Sequence, residues 1–259
     1  MANGTADGVR WLDVGPERLA TWLESFSERH GGVITEPGPG VITFRSADGA
    51  VAECHVPFPP LRGVRPPGAA PPDSAGELTG VADTAELICA HALAARTVGV
   101  LLVRLGGYAA GVFTGPSAHL AASKVGSRLV HGRSAAGGTS QQRFARRREK
   151  QASEALGAAA DTAAAVFGRF QGELDAVVLG GDRRTIAGLR DDPRLKQYFK
   201  LAVERFLTVP DPRLAVLRST PRLFRAVRIR LTEPASEAPG RGAAGTEERG
   251  TSDEGRRRL

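Results

Sequence analysis

Thr97-Val98-Gly99-Val100-Leu101-Leu102-Val103, then Gly106-Gly107, then Tyr108-Ala109-Ala110-Gly111-Val112-Phe113: this stretch decides the fold. The first run is short, apolar and bounded by turn residues, so it reads as a strand. The glycine pair supplies a tight turn, and the second run returns as the antiparallel partner. A strand rather than a helix follows these glycines, so they form a hairpin and not a dinucleotide loop.

Working outward, residues 124–131 predict a third strand, with Val125, Ser127, Leu129 and His131 on one face. A glycine loop follows it, and residues 141–172 predict one long helix. Phe144, Leu156, Ala160, Ala163, Phe167 and Phe170 form its apolar stripe. At ~1.5 Å per residue that helix is roughly 45 Å long. Residues 175–179 read as a buried strand, and Gly180-Gly181-Asp182 turns it into a helix through Leu189. Further helices are expected at 191–207 and 211–224, then a last strand at 226–231 with its arginines outward.

Upstream, Asp83 is a candidate N-cap for a helix through Arg96. Before it, prolines and glycines dominate, including Pro66-Pro67 and Pro71-Pro72, as in a linker. Residues 16–30 read as an amphipathic helix with Pro16 in its first turn and Leu19, Trp22, Leu23 and Phe26 inward. Two short strands follow, at 41–44 and 51–56, joined across Ala47-Asp48-Gly49. The expected organisation is a small N-terminal α+β unit at 1–60 and a linker at 61–82. The main domain spans 83–232, and a tail at 233–259 lacks periodicity and is expected to be disordered. The fold class is α+β or α/β, a mixed sheet with flanking helices.

The net charge of +7 and a sequence pI near 10.2 point to a polyanionic partner. Arginine supplies nearly all the positive charge, the lysines being Lys124, Lys150, Lys196 and Lys200. Arginine grips phosphate and stacks on bases better than lysine does, which favours nucleic acid. Two cysteines, Cys54 and Cys89, imply no disulfide framework. The first residues lack the basic start and apolar core of a signal peptide, and no apolar run is long enough for a membrane span. A soluble, cytoplasmic protein with no membrane partner is expected.

The loop reads Gly137-Gly138-Thr139-Ser140-Gln141-Gln142, and Arg143-Phe144-Ala145-Arg146-Arg147-Arg148-Glu149-Lys150 follows at once. On a helix, the basic residues at 143, 146, 147 and 150 share one face because they lie three or four apart. A neutral amide on a pliable loop, attached to a helix that holds phosphates, suits a factor that inserts a group into RNA.

Three antiparallel strands, this loop, a long helix and another strand–helix pair resemble the RNase H-like central domain of eukaryotic and archaeal-type peptide release factors. The sequence is similar in particular to the Vms-like release factors (VLRF), peptidyl-tRNA hydrolases of ribosome quality control and rescue, over about residues 86–232. Arg133, Gly138-Thr139-Ser140-Gln141 and Arg143 to Arg148 stand in the places of that family's motif. Release factors place glutamine directly after two glycines; here Thr139 and Ser140 intervene, as in the Vms-like pattern.

The resemblance implies hydrolysis of the ester between a nascent peptide and tRNA, with Gln141, or its neighbour Gln142, positioning water. It implies the large ribosomal subunit with its peptidyl transferase centre, ribosomal RNA and peptidyl-tRNA as partners, with neither cofactor nor metal. Gly137, Gly138, Thr139 and Ser140 would shape the loop; Arg133, Arg143, Arg146, Arg147, Arg148 and Lys150 would hold RNA phosphates. Two alternatives remain open: an endonuclease cutting tRNA near its CCA end, and a non-catalytic ribosome- or RNA-binding protein.

Other features have structural readings. Cys54-His55 with Cys89 and His91 fit no common zinc spacing. Gly180-Gly181-Asp182 reads as a tight connection, though a helix N-terminus there is a candidate anion site. Asp175 and Asp182 alone do not make the carboxylate cluster of a two-metal nuclease. His131 is expected to face the sheet, Arg183, Arg184 and Arg190 to be surface residues, and Trp11 and Trp22 to pack in the core.

Overall fold

The computed structural model describes residues 3–6, 8–61, 80–104, 106–127 and 140–234, with side chains from Gly8 onward except at 140–148. Residues 62–79 of the expected linker, the glycines of the loop with Arg133 and His131, and the tail from 235 lie outside these residues; the last linker residues, Val81 and Ala82, already belong to a helix.

The first layer contains β1 (Asn3–Ala6), β2 (Val9–Val14), α1 (Pro16–Arg29), β3 (Val33–Glu36), β4 (Val41–Ser46), β5 (Val51–His55) and α2 (Val81–Leu93). The second contains β6 (Val98–Arg104), β7 (Gly107–Thr114), β8 (His119–Ser127), α3 (Ser140–Phe167), β9 (Ala176–Gly181), α4 (Arg183–Ala187), α5 (Lys196–Phe199), β10 (Ala202–Leu207) and α6 (Leu214–Phe224). The last strand, β11 (Val227–Thr232), returns to the first layer.

The hairpin of the opening stretch forms as read. β6 and β7 pair antiparallel from Val98 opposite Phe113 to Arg104 opposite Gly107. β7 pairs antiparallel with β8, while β9 lies parallel to β6 and β10 parallel to β9. The five-stranded order β10-β9-β6-β7-β8 is that of an RNase H-like sheet. Its central strands are buried on both faces, as their continuous apolar runs require. Ala159, Ala160, Ala163 and Phe167 of α3 cover one face, against Leu101, Val112 and Leu179. Leu217 and Phe224 of α6 cover the other, against Val100, Leu102 and Val178.

The six-stranded sheet has the order β1-β2-β11-β5-β4-β3. Leu19, Leu23 and Phe26 of α1 and Ala85 and Ile88 of α2 pack on one face of it, with Ile42, Phe44, Cys54 and Ile229. The strand at 227–232 therefore sits between β2 and β5, and α2 covers the same sheet. This divides the chain differently from the expected boundaries at 61 and 83. Val227, Ile229 and Leu231, all fully buried, need a partner face, and the gap between β2 and β5 supplies it.

Other elements also depart from the sequence reading. The third strand starts at His119, five residues before the expected 124, because its pairing with β7 begins at Thr114 opposite His119; residues 128–131 lie outside the described residues. The helix expected over 191–207 is a short α5 followed by strand β10, which finds a parallel partner in β9. Asp83 lies in the first turn of α2 and the N-cap is Gly80; the Thr84 hydroxyl donates to the Gly80 carbonyl at 2.8 Å. Strands β1, β2 and β3 carried too few alternating residues to be read from sequence.

Candidate functional site

The site rests on how α3 crosses the sheet. The Phe167 ring lies beside Gly99 at the start of β6, where an added Cβ would come within 3.1 Å of it. Ala152, Ala155 and Leu156 lie with Val103, Arg104 and Gly106 at the other end of that strand. Helix and strand thus run in opposite directions. From Ala152 the helix continues to Ser140, past the level where β6 ends. At ~1.5 Å per residue, Gln141 lies roughly 16 Å beyond Ala152 along the axis.

The sequence reading put Gln141 on the loop tip. The structure begins α3 at Ser140, which sets Gln141 and Gln142 in the first helical turn. The first N–H groups of an α-helix have no intrahelical acceptor, so that turn holds donors its own helix does not use, at the positive end of the dipole. Arg143, Arg146, Arg147 and Arg148 lie on this helical backbone, and their spacing places 143, 146, 147 and 150 along one side. Lys150 is 79% exposed and 3.9 Å from Glu154, a surface pair of little energetic weight that leaves it accessible to phosphate.

A cavity of about 630 Å³ lies at the foot of the projecting half-helix, at the carboxyl ends of β6 and β9. Arg104, Arg184, Asp182, Thr185 and Gly181 line it with Ala152, Ala155 and Leu156. No sequence motif announces this cavity, because three distant segments build it. Arg104 is tied down by a 2.9 Å bond to the Val209 carbonyl.

The carboxylates weighed for nuclease chemistry are occupied structurally. Asp182 caps α4, accepting from the Thr185 N–H at 2.8 Å and the Thr185 hydroxyl at 2.6 Å. The Thr185 hydroxyl, then its N–H, hold the Asp182 carboxyl below the usual range. That cap also uses the N–H an anion at Gly180-Gly181-Asp182 would need. Asp175 accepts from the Thr97 N–H at 2.7 Å and ties the starts of β6 and β9 together.

Among the described residues no group of three or more potential ligands gathers around a common metal position. Cys54 is core, and burial pushes its thiol far up. The Cys89 thiol donates to the Pro16 carbonyl at 2.9 Å, and His91 Nε2 lies 3.0 Å from the Pro57 carbonyl. Trp22 stacks on Phe26 at the margin of the core, while Trp11 lies on the opposite face of its sheet under Arg228. Arg183 and Arg190 lie over the rings of Phe206 and Phe199, at 4.4 and 5.3 Å. Among the described residues no helix is long and apolar enough to cross a membrane.

An RNase H-like sheet carrying a projecting basic helix with glutamine in its first turn has the form of a release-factor domain. The sequence pattern of the Actinobacteria/chloroflexi VLRF1 release factor matches residues 96–230, just over half of the chain. The protein belongs to this family of release factors.

Among solved structures, the archaeal translation termination factor aRF1 is similar at 14% identity and a TM-score of 0.38, covering 83% of this chain. This chain spans 64% of the length of that factor. A Vms1 mitochondrial localization core is similar at 11% identity and a TM-score of 0.35, covering 80% of this chain and 81% of its own. An archaeal protein follows at 14% identity, with a TM-score of 0.29 and coverage of 86% and 68%. Likenesses of this size carry no weight beside the family match. No curated protein matches the chain.

Proposed function

We propose that this release factor is a cytoplasmic peptidyl-tRNA hydrolase that frees nascent peptides from stalled ribosomal complexes. The observation that supports it is the half-helix extending past the sheet, with Gln141 in its opening turn and cations at three- and four-residue spacing behind it. A rod of this kind reaches into a crevice in RNA that the body of the protein cannot enter. The arginines and Lys150 hold backbone phosphates without reading sequence, so binding weakens steeply with salt.

Water attacks the ester carbonyl and negative charge develops on its oxygen. The Gln141 amide cannot take a proton at neutral pH, so its work is to orient the water. Free N–H groups in the first turn of α3 face the developing oxyanion; one such donor contributes ~3–4 kcal/mol in acyl-transfer sites. Holding water and ester together supplies further acceleration. The large ribosomal subunit completes the site around the peptidyl-tRNA, and no cofactor enters the reaction.

The test is release of a labelled nascent chain from stalled ribosomes, with Gln141→Ala and Gln142→Ala compared. Gln141→Ala is expected to lose release by about a hundredfold or more, the scale of one lost transition-state contact, while still sedimenting with ribosomes. Full release by that variant would remove Gln141 from the chemistry. The 3′ end of the freed tRNA is read in the same reaction: an intact CCA end is expected, and a shortened one would make the protein an endonuclease. Binding without any release would make it a non-catalytic factor.

A further inference from the structure

Helices α1 and α2 occupy one face of the six-stranded sheet. Register sets Arg228 opposite Asp13 and His55, and Arg230 opposite Trp11 and Glu53, on the other face. At one end of that face, where β10 approaches, there is a cavity of about 410 Å³. Aromatic residues are only 5% of the chain, yet Trp11, Phe58 and Phe224 line this one cavity together with His55. The Trp11 and His55 ring centroids are 5.2 Å apart, and those of Phe58 and Phe224 are 5.8 Å apart. Phe58 is held at a φ of 54°, in the left-handed region that side-chain-bearing residues seldom adopt. Such backbone strain concentrates where a ligand is held.

The charges sort in the same direction. Asp13 is paired with Arg205 at 2.8 Å and Glu53 with Arg230 at 2.7 Å. Arg228 is exposed and lies 4.4 Å over the Trp11 ring, with no carboxylate in salt-bridge range among the described residues. Glu204 also lines the cavity, but it is exposed to solvent. Burial, the largest influence on His55, lowers its pKa and leaves a neutral ring suited to stacking.

We propose that this cavity takes one unstacked nucleotide of single-stranded RNA, its base against Trp11 and His55 and its phosphate on Arg228. Flat rings recognise the π-face that every base carries, and a guanidinium already lying on a ring keeps its N–H edge free for a phosphate. The strongly positive chain brings the polyanion in. The site lies outside the residues matched to the release-factor family for Trp11, His55 and Phe58, and it uses neither Gln141 nor α3. It therefore stands or falls apart from peptide release.

The test uses full-length protein with a short fluorescent oligouridylate, read by anisotropy, and with ultraviolet crosslinks mapped by mass spectrometry. Trp11→Leu and Arg228→Gln are each expected to weaken binding about tenfold, as loss of a stacked base does. Crosslinks are expected on the peptides holding Trp11 or His55, and to persist when Arg143, Arg146 and Arg147 are changed together to glutamine. Circular dichroism checks that the variants fold; should either fail to, the crosslink map of the unaltered protein decides. Crosslinks confined to α3 would overturn the proposal. So would competition by uridine monophosphate as strong as by the oligomer, or crosslinking at Trp11 only after residues 235–259 are deleted.

Discussion

Asp48 shows how much local order one carboxylate can carry. It sits in the turn between β4 and β5, where the Ser46 hydroxyl donates to one of its oxygens and the Ala50 N–H donates to the same oxygen at 3.0 Å. His30 Nδ1, at the end of α1, lies 2.7 Å from its other oxygen. The Ser46 bond foremost, then His30 and Ala50, bring its pKa from 3.8 to about 2. The folded chain therefore releases this proton at lower pH than the unfolded chain does. The stabilisation is complete above the unfolded value of 3.8 and is lost as pH falls through about 2. Asp48→Asn is expected to reduce the fall in melting temperature across that window while lowering stability at neutral pH. Equal acid sensitivity in both proteins would show that Asp48 does not govern it. Gly181 is constrained differently: its φ is 101°, and a Cβ there would collide with the Val103 carbonyl. A glycine pair that the sequence offered as a turn is thus also the last rung of a buried strand.

At the scale of elements, α3 has two halves with different duties. From Ala155 to Phe167 its small and aromatic residues are clamped on the sheet; Phe167 is 1% exposed and meets Tyr198 edge-on at 5.2 Å. The amino-terminal half carries Arg143, Arg146, Arg147 and Arg148 on its helical backbone. Phe167→Ala is expected to cost about 3–5 kcal/mol in urea unfolding, as truncation of a buried aromatic does. A loss below ~1 kcal/mol would mean that the carboxyl-terminal half of α3 is not the anchor. Strand β10 carries the opposite lesson. Leu195, Tyr198, Phe199, Ala202, Val203, Phe206 and Leu207 recur at three- and four-residue intervals, which predicts a helix. A free edge on β9 overrides that period, because pairing there satisfies a row of backbone groups and lets Leu207 reach the core.

For the whole molecule, β11 is the strand that joins beginning to end. It pairs with β2 from Val227 opposite Val14 to Thr232 opposite Val9, and with β5 along its other edge. Arg205 adds a second tie, donating to Asp13 at 2.8 Å and to the Ala226 carbonyl. A chain ending at Arg225 is expected to lose the native circular dichroism of the first sheet, because three fully buried side chains and the central row of hydrogen bonds go with it. Adding a peptide of residues 226–234 is expected to restore it. A truncated chain that melts like the intact one would show the first layer to be independent of its last strand.

The opening hairpin, the helix over 140–167, the strand at 176–181 and the last strand were legible because each is a long enough run of one period bounded by glycine or polar residues. The loop motif at 137–139 lies outside the described residues; the structure describes the backbone of Gln141 to Lys150 as helix. Sequence by itself thus determined the release-factor family pattern and the periodic elements. Only the tertiary structure decided that β11 belongs between β2 and β5, that residues 202–207 are a strand, and that cavities form at the ends of both sheets. Those outcomes depend on which edge is left unpaired once the other elements have packed, and no local run of residues carries that information.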